Sequence, residues 1–396
     1  MKKKIKRILM AAGITLLILL VYTAWVIYSP VNFDKPTGTY VVGTTGIEVT
    51  DSSRLEDSVS NKHQFRRLLL QFWYPAEKTT GLQKATYHPN PDVFLGDVKK
   101  LFPDIPQLLL KRLAKATTNS FLNAPIAKTE KNYPVIIFSH GMDGMRFLNT
   151  YQMEELASHG YIVLSIEHSF SATGTVFKDG SRAGITPYEL MEDEAFANRM
   201  VDKWSADQVF VINLAEKINS TPGNFFYGKL NTEKTGILGF SFGGAVSTNT
   251  LTLEKRIKAG INLDGFYYGH NYEKGFTQPF MELRSQPAPP EKVTDAELKM
   301  SHLGRERWKY VWFDEWNKRV TAYTKNVTET YYSYTLNGAD HFSFCDLQLM
   351  APFPWLLSPK TARIHELTNQ YCLAFFDQQL KGIKSPLLTQ HKKLLK

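Results

Sequence analysis

Residues 236–245, GILGFSFGGA, carry the pattern that most limits how this chain can fold. An apolar run ends at Gly239-Phe240-Ser241-Phe242-Gly243, and a helical pattern begins near Ala245. A serine flanked two residues away on each side by glycine suits a strained strand-to-helix turn. The glycines admit neighbouring backbone that a side chain would block. The hydroxyl then projects from the turn, and the N-terminus of the following helix favours negative charge developing beside it. Ser241 is therefore the expected nucleophile, with Gly239 and Gly243 forming the elbow around it.

Short apolar runs rich in β-branched residues occur at 38–49, 67–74, 134–140, 161–168, 235–240, 259–264, 279–285 and 329–336. Helical patterns lie at about 148–159, 188–219, 241–254, 303–322 and 361–381. Runs such as PVIIF and YIVLSI are apolar at nearly every position, as in strands covered on both faces. Strand–helix alternation of this kind predicts an α/β protein with a doubly wound, mostly parallel sheet flanked by helices. No helix separates the first two strands, which predicts an antiparallel hairpin at the sheet edge. Residues 75–133, proline-rich with a helical run at 108–115, and residues 286–330 break the alternation and are expected to be insertions near the rim.

Serine is a weak nucleophile at neutral pH and needs a base, itself oriented by an acid. In the α/β-hydrolase fold the chain order is serine, acid, histidine, each on a loop after a strand. AGINLDG ends one strand–helix–strand step later on Asp264, and YYSYTLNGADHFSF gives a strand and a turn holding His341. His302 falls inside an insertion, His365 inside the last helical run, and His270 too close behind Asp264. Asp340 is the rival acid. Oxyanion stabilisation needs one backbone N–H after the nucleophile, that of Phe242, and one from the loop after the third strand. That loop reads FSHGMDG and offers the N–H of Met142.

In this register the chain resembles the plasma-type platelet-activating-factor acetylhydrolases and their microbial relatives. The blocks are YPVIIFSHGMDGMRF, ELASHGYIVLSIEHSFSATGT, GFSFGGA, INLDG and GADHFSF, in that order, over roughly residues 38–380. The resemblance implies a calcium-independent hydrolase of phospholipids with short or oxidised acyl chains, or of other small acyl esters. By position it carries over Ser241 as nucleophile, Asp264 as acid, His341 as base, and Met142 and Phe242 as oxyanion donors. It implies no cofactor. The aromatic-rich insert between Asp264 and His341 looks longer than the family's usual, so acyl-pocket residues are not carried over. Acyl transfer by a membrane-anchored acyltransferase with the same triad, or an inactive binding protein on this fold, stand as alternatives.

Charge decides the ends of the chain. Lys2, Lys3, Lys4, Lys6 and Arg7 supply more than half of the net charge of +9 before residue 8. Residues 8–28 then carry no charged side chain. As a helix they extend roughly 31 Å, enough for a hydrocarbon core of about 30 Å. Small residues do not stand at both positions that cleavage after Ala24 or Ser29 needs, which favours an uncleaved signal anchor. The expected organisation is a basic cytoplasmic start at 1–7, a single transmembrane anchor at 8–28, a linker at 29–37 and a hydrolase body at 38–396. The positive-inside rule places that body outside the cytoplasm. Lys392, Lys393 and Lys396 read as a solvated tail. Neither basic run carries nucleic-acid signatures.

The two cysteines, Cys345 and Cys372, make no disulfide framework; two buried thiols are favoured, with one disulfide between them as the alternative. His270 and Glu273 lack a second histidine, so no metal is assigned. His168 reads as a structural histidine. Trp308, Trp312 and Trp316 share one helical face, as insertion core or as a lid, with core packing favoured. The sequons at Asn219 and Asn326 matter only in a eukaryotic secretory pathway.

Overall fold

The computed structural model describes residues 2–29, 31–57, 64–77, 81–101, 103, 106–114, 116–185, 193–295, 298, 303–327, 330–350, 360–388 and 392–395. His302, Lys115, Thr328, Lys396 and the helical start expected at 188–192 lie outside the described residues.

The strands are β1 (Val41–Leu55), β2 (Phe65–Ala76), β3 (Lys84–Thr86), β4 (Thr117–Leu122), β5 (Tyr133–Ser139), β6 (Ile162–Glu167), β7 (Leu230–Phe240), β8 (Ile257–Leu263), β9 (Phe280–Arg284), β10 (Tyr331–Leu336) and β11 (Lys392–Leu395). They form one sheet in the order β11-β10-β9-β8-β7-β5-β6-β2-β1-β4-β3. From β11 to β6 every pairing is parallel, and β2 joins β6 antiparallel. The chain enters the parallel part at β5, steps out to β6, then returns across β5 to β7 and onward, which is double winding.

Alternate residues explain the two covered faces. On β5, Ile136 and Phe138 pack into one core while Val135 and Ile137 pack into the other. Leu238 and Ile237 on β7 divide in the same way. Helices α4 (Thr150–Ser158) and α9 (Thr361–Phe376) contribute to the first core. Helices α5 (Glu194–Ser220) and α6 (Phe242–Leu253) contribute to the second. Burial on both faces is why these strands read as continuous apolar runs.

Four features depart from the expectations. The β1–β2 hairpin forms, but it does not end the sheet, because β4 pairs with β1 and β3 with β4. Those strands come from the 75–133 insertion, which also holds α2 (Pro91–Leu101) and α3 (Gln107–Ala114). The single helix expected at 303–322 is α7 (Arg305–Lys309), a π turn (Tyr310–Asp314) and α8 (Trp316–Thr324). The backbone of Lys392–Leu395, read as a solvated tail, forms the parallel edge strand β11.

The N-terminal helix α1 (Lys2–Tyr28) is long and apolar enough to cross a membrane. Its side chains are largely exposed until Val26, which is buried, and its last turn packs on α3. The segment that follows, expected to be a linker, is fastened to the body. Val31 N donates to Arg112 O at 3.3 Å, Thr37 N to Glu155 Oε2 at 2.8 Å, and Tyr40 N to Ser158 O at 3.0 Å.

Candidate active site

Ser241 sits where β7 ends and α6 begins, with φ 54° and ψ −123°. Such a backbone costs on the order of 1–3 kcal/mol for a residue with a side chain. Surrounding contacts hold it: Ser241 N donates to Leu263 O at 2.8 Å, and Gly244 N to Ser241 O at 2.8 Å. A Cβ on Gly239 would lie 1.9 Å from the Gly243 carbonyl oxygen, and one on Gly243 would lie 2.1 Å from Ser139 O. Both elbow positions are therefore closed to any larger residue.

His341 Nε2 lies 2.8 Å from Ser241 Oγ, and His341 Nδ1 lies 2.8 Å from Asp264 Oδ2. Since a carboxylate only accepts, Nδ1 carries the proton and Nε2 accepts from the serine hydroxyl. Asp264 is buried after β8, and its Oδ1 accepts from Ser285 N at 2.7 Å. It too has a positive φ, 54°, in a turn closed by Asn262, which exchanges two 2.8 Å hydrogen bonds with Gly265. A Cβ on Gly265 would lie 2.1 Å from Ser241 O, so the glycine of INLDG lets the Asp264 turn pack against the Ser241 backbone. Asp340, the rival acid, points its carboxylate elsewhere: it accepts from Ser343 Oγ at 2.8 Å and from Gln348 Nε2 at 2.7 Å.

The loop after β5 brings Met142 to the same place. His140 is buried; its Nε2 accepts from His168 N at 3.3 Å, so Nδ1 carries the hydrogen and donates to Gly141 O at 2.6 Å. Gly144 N donates to the same carbonyl at 3.0 Å. Fixing Gly141 O fixes the peptide plane, and the N–H of Met142, its opposite end, is fixed with it. Neither Met142 N nor Phe242 N donates to an acceptor among the described residues. Burial, then the neighbouring His168, push the His140 imidazole down to about 3, so it stays neutral and keeps both roles.

The loop that follows His341 is clamped to this region as well. Asp346 accepts from Thr150 N at 2.7 Å, Asp346 N donates to Leu148 O at 2.8 Å, and Asn149 Nδ2 donates to Phe344 O at 2.6 Å. Burial raises the Asp346 carboxyl well above its ordinary range. Nothing in the local sequence marks Asp346, Asn262 or the His140 tautomer. INLDG and SHGMDG contain Asn262 and His140 without revealing their contacts.

Above the serine lies a cavity of about 350 Å³. Met142, Met145, Phe240 and Phe342 line it, together with Trp308, Val311 and Trp312 of the second insertion. The Trp312 ring meets His341 edge-on at 5.7 Å and stacks on Trp316 at 5.1 Å. Trp316 is fully buried against Tyr267 and Arg284. The tryptophan row is therefore insertion core at Trp316 and cavity wall at Trp308 and Trp312.

Three other histidines among the described residues are held elsewhere. His270 Nδ1 is 2.6 Å from Asp202 Oδ2, and His365 stacks on Tyr151 and reaches Cys345 O. His168 stacks on Trp204 with Nε2 2.9 Å from Ser139 Oγ and Nδ1 2.8 Å from Asp207 Oδ2. Cys345 and Cys372 are free, buried thiols, pushed up by burial to pKa values above the range of reactive thiols.

A doubly wound sheet with a serine on the strand-to-helix elbow, followed in order by an acid and a histidine, defines an α/β-hydrolase fold. A ferulic acid esterase from Streptomyces cinnamoneus shares the fold: TM-score 0.67, 23% identity, covering 91% of this chain and 96% of that one. The chain belongs to the platelet-activating factor acetylhydrolase, isoform II, family, whose model matches residues 26–358. It is 28% identical over 275 residues to the platelet-activating factor acetylhydrolase of Cavia porcellus, covering 64% of this chain and 60% of that protein. It is 31% identical over 258 residues to the one of Canis lupus familiaris, covering 59% and 54%. The chain thus spans little more than half the length of these two relatives.

Proposed function

We propose that this protein is a serine carboxylic-ester hydrolase working through an acyl-enzyme, with Ser241 as nucleophile, His341 as base and Asp264 as acid. The observation that carries the proposal is the unbroken chain from Asp264 Oδ2 through His341 to Ser241 Oγ, both links 2.8 Å, at the floor of an apolar cavity. His341 Nε2 takes the hydroxyl proton as Oγ attacks the ester carbonyl. The N–H groups of Phe242 and Met142 receive the oxyanion. His341 then returns the proton to the leaving alcohol, and a water repeats the sequence to release the acid and restore Ser241. Asp264 holds the imidazole tautomer and stabilises the imidazolium that forms transiently.

The substrate class is short-chain or oxidised phospholipid esters, or other small acyl esters. The family and the names of the relatives support it. So does the apolar lining that Trp308, Val311 and Trp312 give the cavity. Residues 8–28 anchor the protein in a membrane, with the basic residues 1–7 cytoplasmic and the body at 38–396 outside, where lipid esters are at hand. Turnover of a p-nitrophenyl ester series by wild type and by Ser241→Ala tests the reading. Acetyl to butyryl esters should be cleaved fastest, and the variant should be inactive though folded. A fully active Ser241→Ala protein would overturn it.

A further inference from the structure

The anchor's last turn and the chain from Val31 onward are both fastened to the body. The side chains of α1 stay exposed from Ile5 to Tyr22, whereas Val26 in its last turn is buried. From there the chain is fastened at nearly every step. Arg112 Nε donates to Ser29 O at 3.0 Å, and Asn32 bridges to Thr117. Phe33 stacks on Tyr87 at 5.4 Å, and Asn119 Nδ2 donates to Asp34 O at 2.8 Å. Gly38 N then donates to Ser158 Oγ at 3.1 Å, and a Cβ there would lie 2.2 Å from Ser158 O. A span of about 20 residues uses nearly the whole uncharged run, so the docked turn at Val26 lies at the membrane boundary.

The element that receives the anchor also adjoins the cavity. α3, carrying Arg112, packs against α2 and against the short 3-10 helix Asp346–Met350. Val98 of α2 and Leu347 of that turn both line the catalytic cavity. The point where the chain leaves the membrane is therefore separated from the cavity rim by about one helix diameter, on the order of 10 Å.

We infer that the docked stretches 26–29 and 31–40 hold the body in one orientation on the membrane, with the α2–α3 side of the cavity rim against the leaflet, so that the enzyme takes its ester from lipids of the leaflet on which it sits. This rests on the hydrolase and anchor readings above. A free linker would let the cavity sample all directions and make the anchor only a concentrating device. A docked one presents the same rim to the lipid surface at all times, and the partner of that rim is the lipid itself.

The test uses the full chain reconstituted in phosphatidylcholine vesicles carrying a fluorogenic short-chain ester lipid. p-Nitrophenyl acetate serves as the soluble ester in the same vesicles. One variant has twelve Gly-Ser residues inserted directly after Ser29, leaving every contact from Val31 onward in place. A second is Arg112→Ala. For the insertion, hydrolysis of the soluble ester should stay within twofold of wild type while hydrolysis of the embedded ester falls roughly tenfold. Arg112→Ala should fall in the same direction by a smaller factor. Equal loss on both substrates, or no loss on the embedded one, overturns the inference. Wild-type protein that cleaves neither ester defeats the hydrolase reading instead, and protein that stays in the supernatant on vesicle flotation defeats the anchor.

Discussion

Two Ser–His–Asp chains lie in this molecule, and their distances are nearly the same. Ser241–His341–Asp264 has links of 2.8 and 2.8 Å, and Ser139–His168–Asp207 has links of 2.9 and 2.8 Å. Everything else about them differs. The Ser139 chain is fully buried, and its acid is matched by cations: Asp207 pairs with Arg66 at 2.6 Å and Arg54 at 2.7 Å. Burial alone would raise the Asp207 carboxyl, but Arg66 and His168 hold it well below the usual range. Gln208 Nε2 donates to Ser139 Oγ at 2.9 Å, occupying the serine from a second side. The Ser241 chain has a strained elbow and a cavity, and among the described residues Asp264 meets no arginine and the N–H groups of Met142 and Phe242 meet no acceptor. Hydrogen-bond geometry alone therefore does not define a nucleophile. Backbone strain, the adjoining cavity and the N–H groups of Met142 and Phe242 separate the two chains, and these are the grounds for proposing Ser241 as the nucleophile.

Substitutions break the comparison in order of effect. Ser241→Ala should lower kcat on a short ester by on the order of 10⁴- to 10⁶-fold. Ser139→Ala should change it less than tenfold, measured by steady-state kinetics on both variants. Asp264→Asn should cost about 10⁴ in kcat with little change in melting temperature. Asp207→Asn should do the reverse, costing about 3–5 kcal/mol of stability in urea titration, because it removes the carboxylate that Arg66 and Arg54 share and leaves buried Arg66 with Glu56 alone. Should Asp207→Asn abolish activity in protein that melts normally, the buried chain would have a part in the chemistry.

A smaller effect sharpens the oxyanion side. His140→Ala frees the Gly141 carbonyl, so kcat should fall about 10- to 100-fold while KM moves less than twofold. His140→Asn, which keeps a donor near the Nδ1 position, should recover part of that loss. A drop in KM and kcat together would point to general loosening of the loop.

How much of this was legible from the sequence depends on whether the determinant is local. The Ser241 elbow was, because strand, turn glycines and helix fall within ten consecutive residues. Asp264 and His341 followed from chain order, and the strand runs followed from two-sided burial. The Arg66–Asp207 pair was not, since its partners are 141 residues apart and nothing in spacing couples them. β4, TTNSFL, was missed because only alternate residues are buried and no apolar run announces it. The docked linker was missed because polar residues such as Asn32 and Thr37 gain their partners only from the folded body. The π turn at Tyr310–Asp314 is equally silent in a helical pattern.

The smallest expected effect concerns pH. Burial pushes His168 down to about 4 and His140 down to about 3, so both are neutral in the fold at pH 5 but protonated when unfolded. The unfolded chain then binds more protons, and stability is lost as pH falls from about 6.5 towards 4. Each contributes on the order of 1–2 kcal/mol at pH 5. The raised Asp346 carboxyl works in the opposite sense, losing stability as pH rises. Melting temperature should drop between pH 7 and pH 5, and His168→Gln should flatten that slope.

The central claim, that only one of the two chains is a nucleophile, is tested most directly by active-site labelling. Folded protein is treated with a fluorophosphonate at neutral pH, digested, and mapped by mass spectrometry. One adduct per chain on Ser241, lost in Ser241→Ala, is the expected result. An adduct on Ser139, or labelling that persists in Ser241→Ala, would contradict the account.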